Sequence, residues 1–337
     1  MRVYEHGGDV NTFAVHCGFT PEEVIDLSSN INFMNPAVDF STVSLNSYPN
    51  HEELTRVLAD YYKVNADEME LFNGGSSAIF SLMRFFDHPT CTIYSPAYLE
   101  YKKAATVHGK KIILINRFES IHTEVAEGSL IIFVNPSTPD GHYYDVDALM
   151  KQWISKNCTI LIDESFLEFC GGESVSRTIH NYDKLYVLKS QTKFYGCAGV
   201  RVGIVLSSRE NIRALKEQEP LWKISALDGH FLISALKDEL FRLSSQKQNK
   251  EAKGYLKTLL ENSPLFVEVF PSDANFFLVR LAAMCAKEFQ EKLIPYKIMV
   301  RDCSNFDFLD ERYVRIAVKS IPELKRFEEA LCSLTSP

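Results

Sequence analysis

The sequence predicts an α/β protein: a large unit built on a mostly parallel sheet with helices on both faces, followed by a smaller α+β unit. Two observations carry this expectation. Short apolar runs alternate with helical patterns between residues 69 and 188, and the chain after Phe266 mixes strand-like and helical segments in a second, shorter series. Alternation of the first kind requires crossover connections, and crossovers produce parallel strands buried on both sides.

Taken in order, Met69–Phe72, Cys91–Tyr94, Lys111–Ile115, Leu130–Val134, Thr159–Ile162 and Leu185–Leu188 read as strands. Ser77–Phe86, Tyr98–His108 and Val146–Ser155 have the apolar spacing of helices. After Arg201 the pattern turns helical, with Arg209–Glu217 and a long stretch Asp228–Glu261 that contains the polar run Ser244–Lys253. The second unit combines strand-like Phe266–Phe270, Asn275–Val279, Lys297–Arg301 and Tyr313–Val318 with helical Ala283–Leu293 and Ile321–Leu334. The first forty-odd residues hold turn signals (His6-Gly7-Gly8, Ser28-Ser29-Asn30, Asn35-Pro36) and are expected to lie across the groove between lobes. The expected division is an N-terminal arm at 1–44, a large domain at 45–255 and a small C-terminal domain at 256–337.

With 337 residues, 46% of them hydrophobic, the chain can bury a sizeable core. Thirty-six basic against 44 acidic residues give a net charge of −8, and no Lys/Arg stripe forms, which argues against nucleic acid as a partner. The eight cysteines stand singly, without the paired spacing of a metal site, and read as reduced thiols of a cytoplasmic protein. No window reaches the ~20 apolar residues of a membrane span, and the N-terminus lacks a signal-type apolar run.

The strongest local signal is Ser190-Gln191-Thr192-Lys193 after an apolar strand, with Arg201 eight residues further on. Lysine can bond an aldehyde, and two hydroxyls with a guanidinium can hold a phosphate, so the segment suits an aldehyde cofactor carrying a phosphate. A solvated lysine beside an ordinary loop is the plain alternative. In Ile160-Leu161-Ile162-Asp163-Glu164-Ser165-Phe166 an acid ends an apolar strand. Asp163 could pair with a protonated ring nitrogen and strengthen an electron sink, while Glu164 would face the other way. A helix cap or metal ligand is equally compatible with such an Asp. In Asn135-Pro136-Ser137-Thr138-Pro139-Asp140-Gly141, again after a strand, Asn135 could donate to a phenolic oxygen of the cofactor, or the segment is simply a turn. Asn73-Gly74-Gly75-Ser76-Ser77 opens a helix, where Gly75 and Ser76 let free amides approach a phosphate. Tyr98 opens the next helix and could stack on the ring, or belong to the core. Each signal is weak alone. Their order, each at the C-terminal end of an expected strand, is what makes a site.

These motifs resemble those of the fold-type-I pyridoxal-phosphate enzymes, in the branch of histidinol-phosphate aminotransferase and the threonine-phosphate decarboxylase of cobamide synthesis. Ser190–Tyr195 with Gly199-Val200-Arg201-Val202-Gly203 looks like the branch's lysine motif, and the similarity spans nearly the whole chain. It implies pyridoxal 5′-phosphate on Lys193, with Gly75, Ser76, Tyr98, Asn135, Asp163, Ser190, Thr192 and Arg201 around it. Ser47-Tyr48-Pro49 is similar to the segment that lends a tyrosine to the neighbouring subunit, which implies a homodimer with Tyr48 acting in trans. The segments around Arg301 and Arg315 look like the family's substrate-arginine segments, implying an anion clamp at Arg315 and a second contact at Arg301. Glu5-His6-Gly7-Gly8-Asp9 and Arg301–Phe306 lie closer to the decarboxylase, and the resemblance implies that His6 and the Ser29-Asn30-Ile31-Asn32 segment lie over the substrate, with His6 and Asn32 as contacts. Some positions depart from the family pattern: Phe166 stands where a tyrosine is common, the Asn135 segment lacks the Asn-rich form, and Ser76-Ser77 replaces an acid. The implied activity is decarboxylation of O-phosphothreonine or O-phosphoserine. Histidinol-phosphate transamination is the alternative, and a non-catalytic phosphate-binding α/β protein using Gly74-Gly75-Ser76 is a third reading.

Overall fold

The computed structural model describes residues 6–335. Seven strands form one sheet: β1 (Met69–Phe72), β2 (Thr90–Ser95), β3 (Lys111–Asn116), β4 (Leu130–Val134), β5 (Thr159–Asp163), β6 (Leu185–Ser190) and β7 (Gly203–Leu206). Their spatial order is β1-β7-β6-β5-β4-β2-β3. β7 runs antiparallel to both neighbours, and all other adjacent pairs are parallel. Every residue of β4 and β5 is buried, which is why these strands read as continuous apolar runs. Successive residues serve opposite faces: Ile160 and Ile162 join the core containing Phe133 and Trp153, whereas Leu161 joins the one containing Phe72 and Leu82.

The first of those cores is covered by α2 (Glu52–Tyr62) through Leu54 and Leu58 and by α5 (Asp147–Ser155) through Trp153. The second is covered by α3 (Gly74–Phe85), α4 (Leu99–Val107) and α6 (Arg209–Lys216). No helix among the described residues is long and apolar enough to cross a membrane.

The second sheet has four antiparallel strands, β8 (Phe266–Val269), β9 (Phe276–Leu281), β10 (Arg301–Asp302) and β11 (Tyr313–Ala317), in the order β10-β11-β9-β8. Its apolar face packs on α8 (Glu239–Asn262), α9 (Ala286–Leu293) and α10 (Ile321–Thr335) through Leu256, Phe289 and Phe327. The division expected after residue 255 falls inside the continuous helix α8.

Several expectations need correction. Gly203–Leu206 is a strand, although the chain after Arg201 read as helical; it is buried on both faces, with Ile204 and Leu206 in one core and Val205 in the other, so it shows no alternation. The stretch from Asp228 is two helices, α7 (Ala226–Lys237) and α8, because Asp238 leaves the helical conformation and caps α8 by accepting from the Phe241 amide at 2.8 Å. Lys297–Arg301 is not one strand: Ile298–Met299 pairs with Ile25–Asp26, and Arg301 belongs to β10. The N-terminal segment contains a helix, α1 (Val10–Cys17), capped by Asp9. Residues 1–5 of the expected arm, Glu5 among them, and residues 336–337 of the expected small domain lie outside the described residues.

Behind β5, Glu164 faces away from Asp163 and meets Lys189 in an ion pair whose side chains are almost fully buried. Glu164 also accepts from the Val175 amide at 2.8 Å, and Lys189 donates to Ser174 at 2.9 Å. Lys189→Met strands the carboxylate in the interior and should cost about 3–5 kcal/mol in urea denaturation. Adding Glu164→Leu should return most of that loss, because the cost lies in the orphaned charge rather than in a missing attraction.

Candidate active site

Loops from the C-terminal ends of β2, β4, β5 and β6, the turn after β1 and the approach to β7 surround one cavity, which the second sheet and the N-terminal segment close. His6, Gly75, Ser76, Tyr98, Asp163, Ser190, Thr192, Lys193, Arg201, Arg301 and Arg315 all line it.

Lys193 follows β6 in a tight turn held by bonds from Tyr195 to Gln191 and from Cys197 to Thr192. Its carbonyl accepts from the Asn32 amide at 2.9 Å. Gly196 keeps the turn narrow: its φ is +62°, and a Cβ there would fall 2.3 Å from the Met34 carbonyl oxygen. The Lys193 Nζ has no hydrogen-bond partner among the described residues. Burial, then Arg315 and Arg201, hold its amine down to about 8, against the opposing pull of Asp163.

One corner suits an anion. Gly74 begins α3 with φ +81°, and a Cβ on it would fall 2.5 Å from the Arg201 guanidinium, so Arg201 lies directly on the turn. Ser190 Oγ and Thr192 Oγ1 are 3.0 Å apart on the facing strand end. Free amides at a helix start, two hydroxyls and a guanidinium form a donor set suited to a phosphate.

The opposite corner suits a ring. Asp163 is 4% exposed. Its Oδ1 accepts from the Ser165 amide at 2.9 Å and the Ser165 hydroxyl at 2.5 Å, and its Oδ2 accepts from Tyr101 at 2.7 Å. Burial raises its pKa, and these bonds oppose the rise. Tyr98 reaches Ser76 at 3.3 Å, and the His6 ring tilts over it with centroids 5.7 Å apart while its Nε2 meets Glu100 at 2.9 Å. Val134, Ile79, Leu188 and Phe166 complete the wall.

The outer wall is cationic. Arg301 and Arg315 stand directly opposite each other on β10 and β11, so both side chains emerge on one face. Arg315 donates to Thr138 Oγ1 and to the Ser28 carbonyl, both at 2.7 Å, while its buried Nε has no hydrogen-bond partner. Burial chiefly lowers it to about 10, with Arg301 adding to the fall. Arg301 donates to Asn305 at 2.7 Å and is also lowered by burial. Like charges directly across a ladder are destabilising, which suits the pair to an anionic ligand between them.

Three expected residues are not in the cavity lining. Asn135 spends its amide on Tyr144, accepting from the Tyr144 amide at 2.8 Å and donating to its carbonyl at 3.0 Å. It fixes the turn, and Thr138, three residues on, faces the cavity. Asn32 donates to the Phe194 carbonyl and Ser245 Oγ, both at 2.6 Å, and accepts from Asn249 at 2.8 Å, so Asn30 is the asparagine that lines the site. Tyr48 is 74% exposed and stacks on Trp222 with centroids 4.2 Å apart, outside its own chain's cavity. The sequence does not single out Tyr101, Ser165 or Thr138, whereas Asn30 belongs to the Ser29-Asn30-Ile31-Asn32 segment expected over the substrate. The signal for Thr138 and Ser165 was membership in motifs already singled out, whereas nothing local marks Tyr101.

The family model for aminotransferase class I and II matches residues 10–331. The chain is 27% identical over 360 residues to histidinol-phosphate aminotransferase of Methanocaldococcus jannaschii, covering 100% of this chain and 96% of that protein. It is 26% identical over 351 residues to threonine-phosphate decarboxylase of Salmonella typhimurium, covering 97% and 95% respectively. Among solved structures, histidinol-phosphate aminotransferase from Clostridium acetobutylicum superposes with a TM-score of 0.82 at 26% identity, over 91% of this chain and 98% of that one.

Proposed function

As this chain belongs to the aminotransferase class I and II family, whose cofactor is pyridoxal 5′-phosphate, we propose that it decarboxylates O-phospho-L-threonine or O-phospho-L-serine to the amino-alcohol phosphate. The observation that supports this reading is the count of guanidinium groups in one cavity: Arg201, Arg301 and Arg315. Arg201 would serve the cofactor phosphate, leaving two forks for a substrate that carries both a carboxylate and a phosphate. Histidinol phosphate, with one anionic group and an imidazole, would use only one, whereas the dicarboxylate 2-oxoglutarate would use both, so the forks favour a dianionic amino-acid substrate and the reaction products separate the two activities.

Bound pyridoxal phosphate supplies an electron sink for the pair released when a bond to the substrate's Cα breaks. Gly75, Ser76, Ser190, Thr192 and Arg201 would hold its phosphate, Lys193 its aldehyde carbon, Asp163 its ring nitrogen, and Tyr98 one ring face. The hydroxyl of Thr138 is available where an amide from Asn135 was expected. Arg315 would grip one substrate anion and Arg301, with His6 and Asn30, the other. Holding both ends fixes which bond at Cα stands out of the ring plane, so binding energy far from the reacting carbon is used for orientation. Lys193, lowered to about 8 and therefore still able to carry a proton near neutral pH, would then deliver that proton from its ammonium form to Cα. A homodimer would bring Tyr48 to the neighbour's phosphate. The setting we propose is cytoplasmic, in assembly of the cobamide nucleotide loop.

The test is incubation with O-phosphothreonine alone, and with histidinol phosphate plus 2-oxoglutarate. Carbon dioxide released without consumption of keto acid is the expected result. Glutamate formed from the second mixture, with no carbon dioxide from the first, would replace decarboxylation by transamination.

A further inference from the structure

We infer that Tyr101 is a positioning residue that keeps Asp163 charged and aimed at the cofactor. This rests on the reading that Asp163 faces the ring nitrogen. Tyr101 is fully buried on α4, and its hydroxyl donates to Asp163 Oδ2 at 2.7 Å. Among the described residues no other hydrogen bond is made to that oxygen, because both Ser165 donors go to Oδ1. The two sets of donors hold the carboxylate from opposite sides, so its plane is fixed between a helix and the turn after its own strand.

The charge follows from the same arrangement. Burial and the neighbouring Glu164 favour the neutral acid, while Ser165 and Tyr101 favour the ion. Tyr98 at the N-cap of α4 and Lys193 after β6 also interact with Asp163, and Arg201 and Arg315 line the same cavity. Burial and the adjacent carboxylate push the Tyr101 phenol well above its usual value, so it keeps its proton and acts only as a donor. Removing that donor leaves a half-satisfied buried carboxylate. Protonation then sets in at higher pH, and a protonated acid cannot pair with a charged ring nitrogen.

The experiment measures the dissociation constant of pyridoxal phosphate from the apo-protein at pH 6 and pH 8, for wild type, Tyr101→Phe and Tyr94→Phe. Tyr94 is an equally buried tyrosine whose hydroxyl accepts from Trp153 Nε1 at 3.0 Å, away from the cavity. Phenylalanine keeps the shape of either ring, so a general loss of buried hydroxyl would affect both variants alike. The expected result is about tenfold weaker binding by Tyr101→Phe at pH 6, a smaller gap at pH 8, and wild-type affinity for Tyr94→Phe. Equal affinity of Tyr101→Phe and wild type at both pH values, or a gap that does not change with pH, overturns the inference while leaving the cofactor site intact. Absence of binding by the wild type overturns both.

Discussion

Lys193→Ala protein is expected to lose the visible absorbance that the wild type shows with pyridoxal phosphate, and to turn over about 10⁴-fold more slowly. The first effect follows because Lys193 is the amine that lines the cavity, and the second because the same group would move the proton at Cα, a role worth about 10²–10⁴-fold by itself. Spectra of reconstituted protein and assays under saturating substrate check both. The amine, lowered to about 8 by burial and two arginines, should capture the cofactor faster as pH rises through that value, since only the neutral form attacks. Borohydride treatment should leave the tag on the peptide containing Lys193. A tag on another lysine, or a coloured Lys193→Ala protein, would undo the assignment.

Arg315→Ala should lower kcat/KM for the phospho-amino acid by roughly 10²–10³-fold, the range expected when one partner of a buried charge pair is removed. The side chain also ties three parts of the chain together, since it bonds Thr138 after β4 and the Ser28 carbonyl of the N-terminal segment from its place on β11. Arg315→Lys should recover little, because an ammonium cannot make both bonds and still present a planar face to an anion. Steady-state kinetics separate the two consequences. A rise in KM alone marks lost anion binding, and a matching fall in kcat marks a misplaced N-terminal segment. An unchanged kcat/KM would exclude Arg315 as a substrate clamp.

Part of the site was legible because Gly75, Tyr98, Asp163 and Lys193 stand at or just after the C-terminal ends of strands, and such ends in an α/β sheet converge on one edge. Lys193, Asp163 and the Gly75-Ser76 turn are marked in this way, whereas Arg201, two residues before the reversed strand β7, is marked by its spacing from Lys193. Asn135 and Asn32 could not be judged so, because an asparagine offers the same amide to a ligand or to a backbone. Whether it is already spent depends on Tyr144, Ser245 and Asn249, the last two more than two hundred residues away from Asn32. Tyr101 was hidden for a related reason: it looks like any aromatic on a buried helix face until β5 is packed against it. The strand Gly203–Leu206 is buried on both faces and so shows no alternation, and its pairing with two neighbours in the sheet defines it.

That reversed strand separates two tasks. Gly203 pairs with Ser190 on one side and Phe72 on the other, so the excursion carrying Lys193 and Arg201 leaves and rejoins the large sheet at adjacent points. The amine and the guanidinium therefore hang from one frame, and their separation does not depend on the other sheet. Arg301 and Arg315 hang from a different frame. Under the proposed roles, a shift of one sheet against the other would move the substrate arginines relative to the cofactor residues, and the Arg315–Thr138 bond that spans the two frames would be the contact it strains.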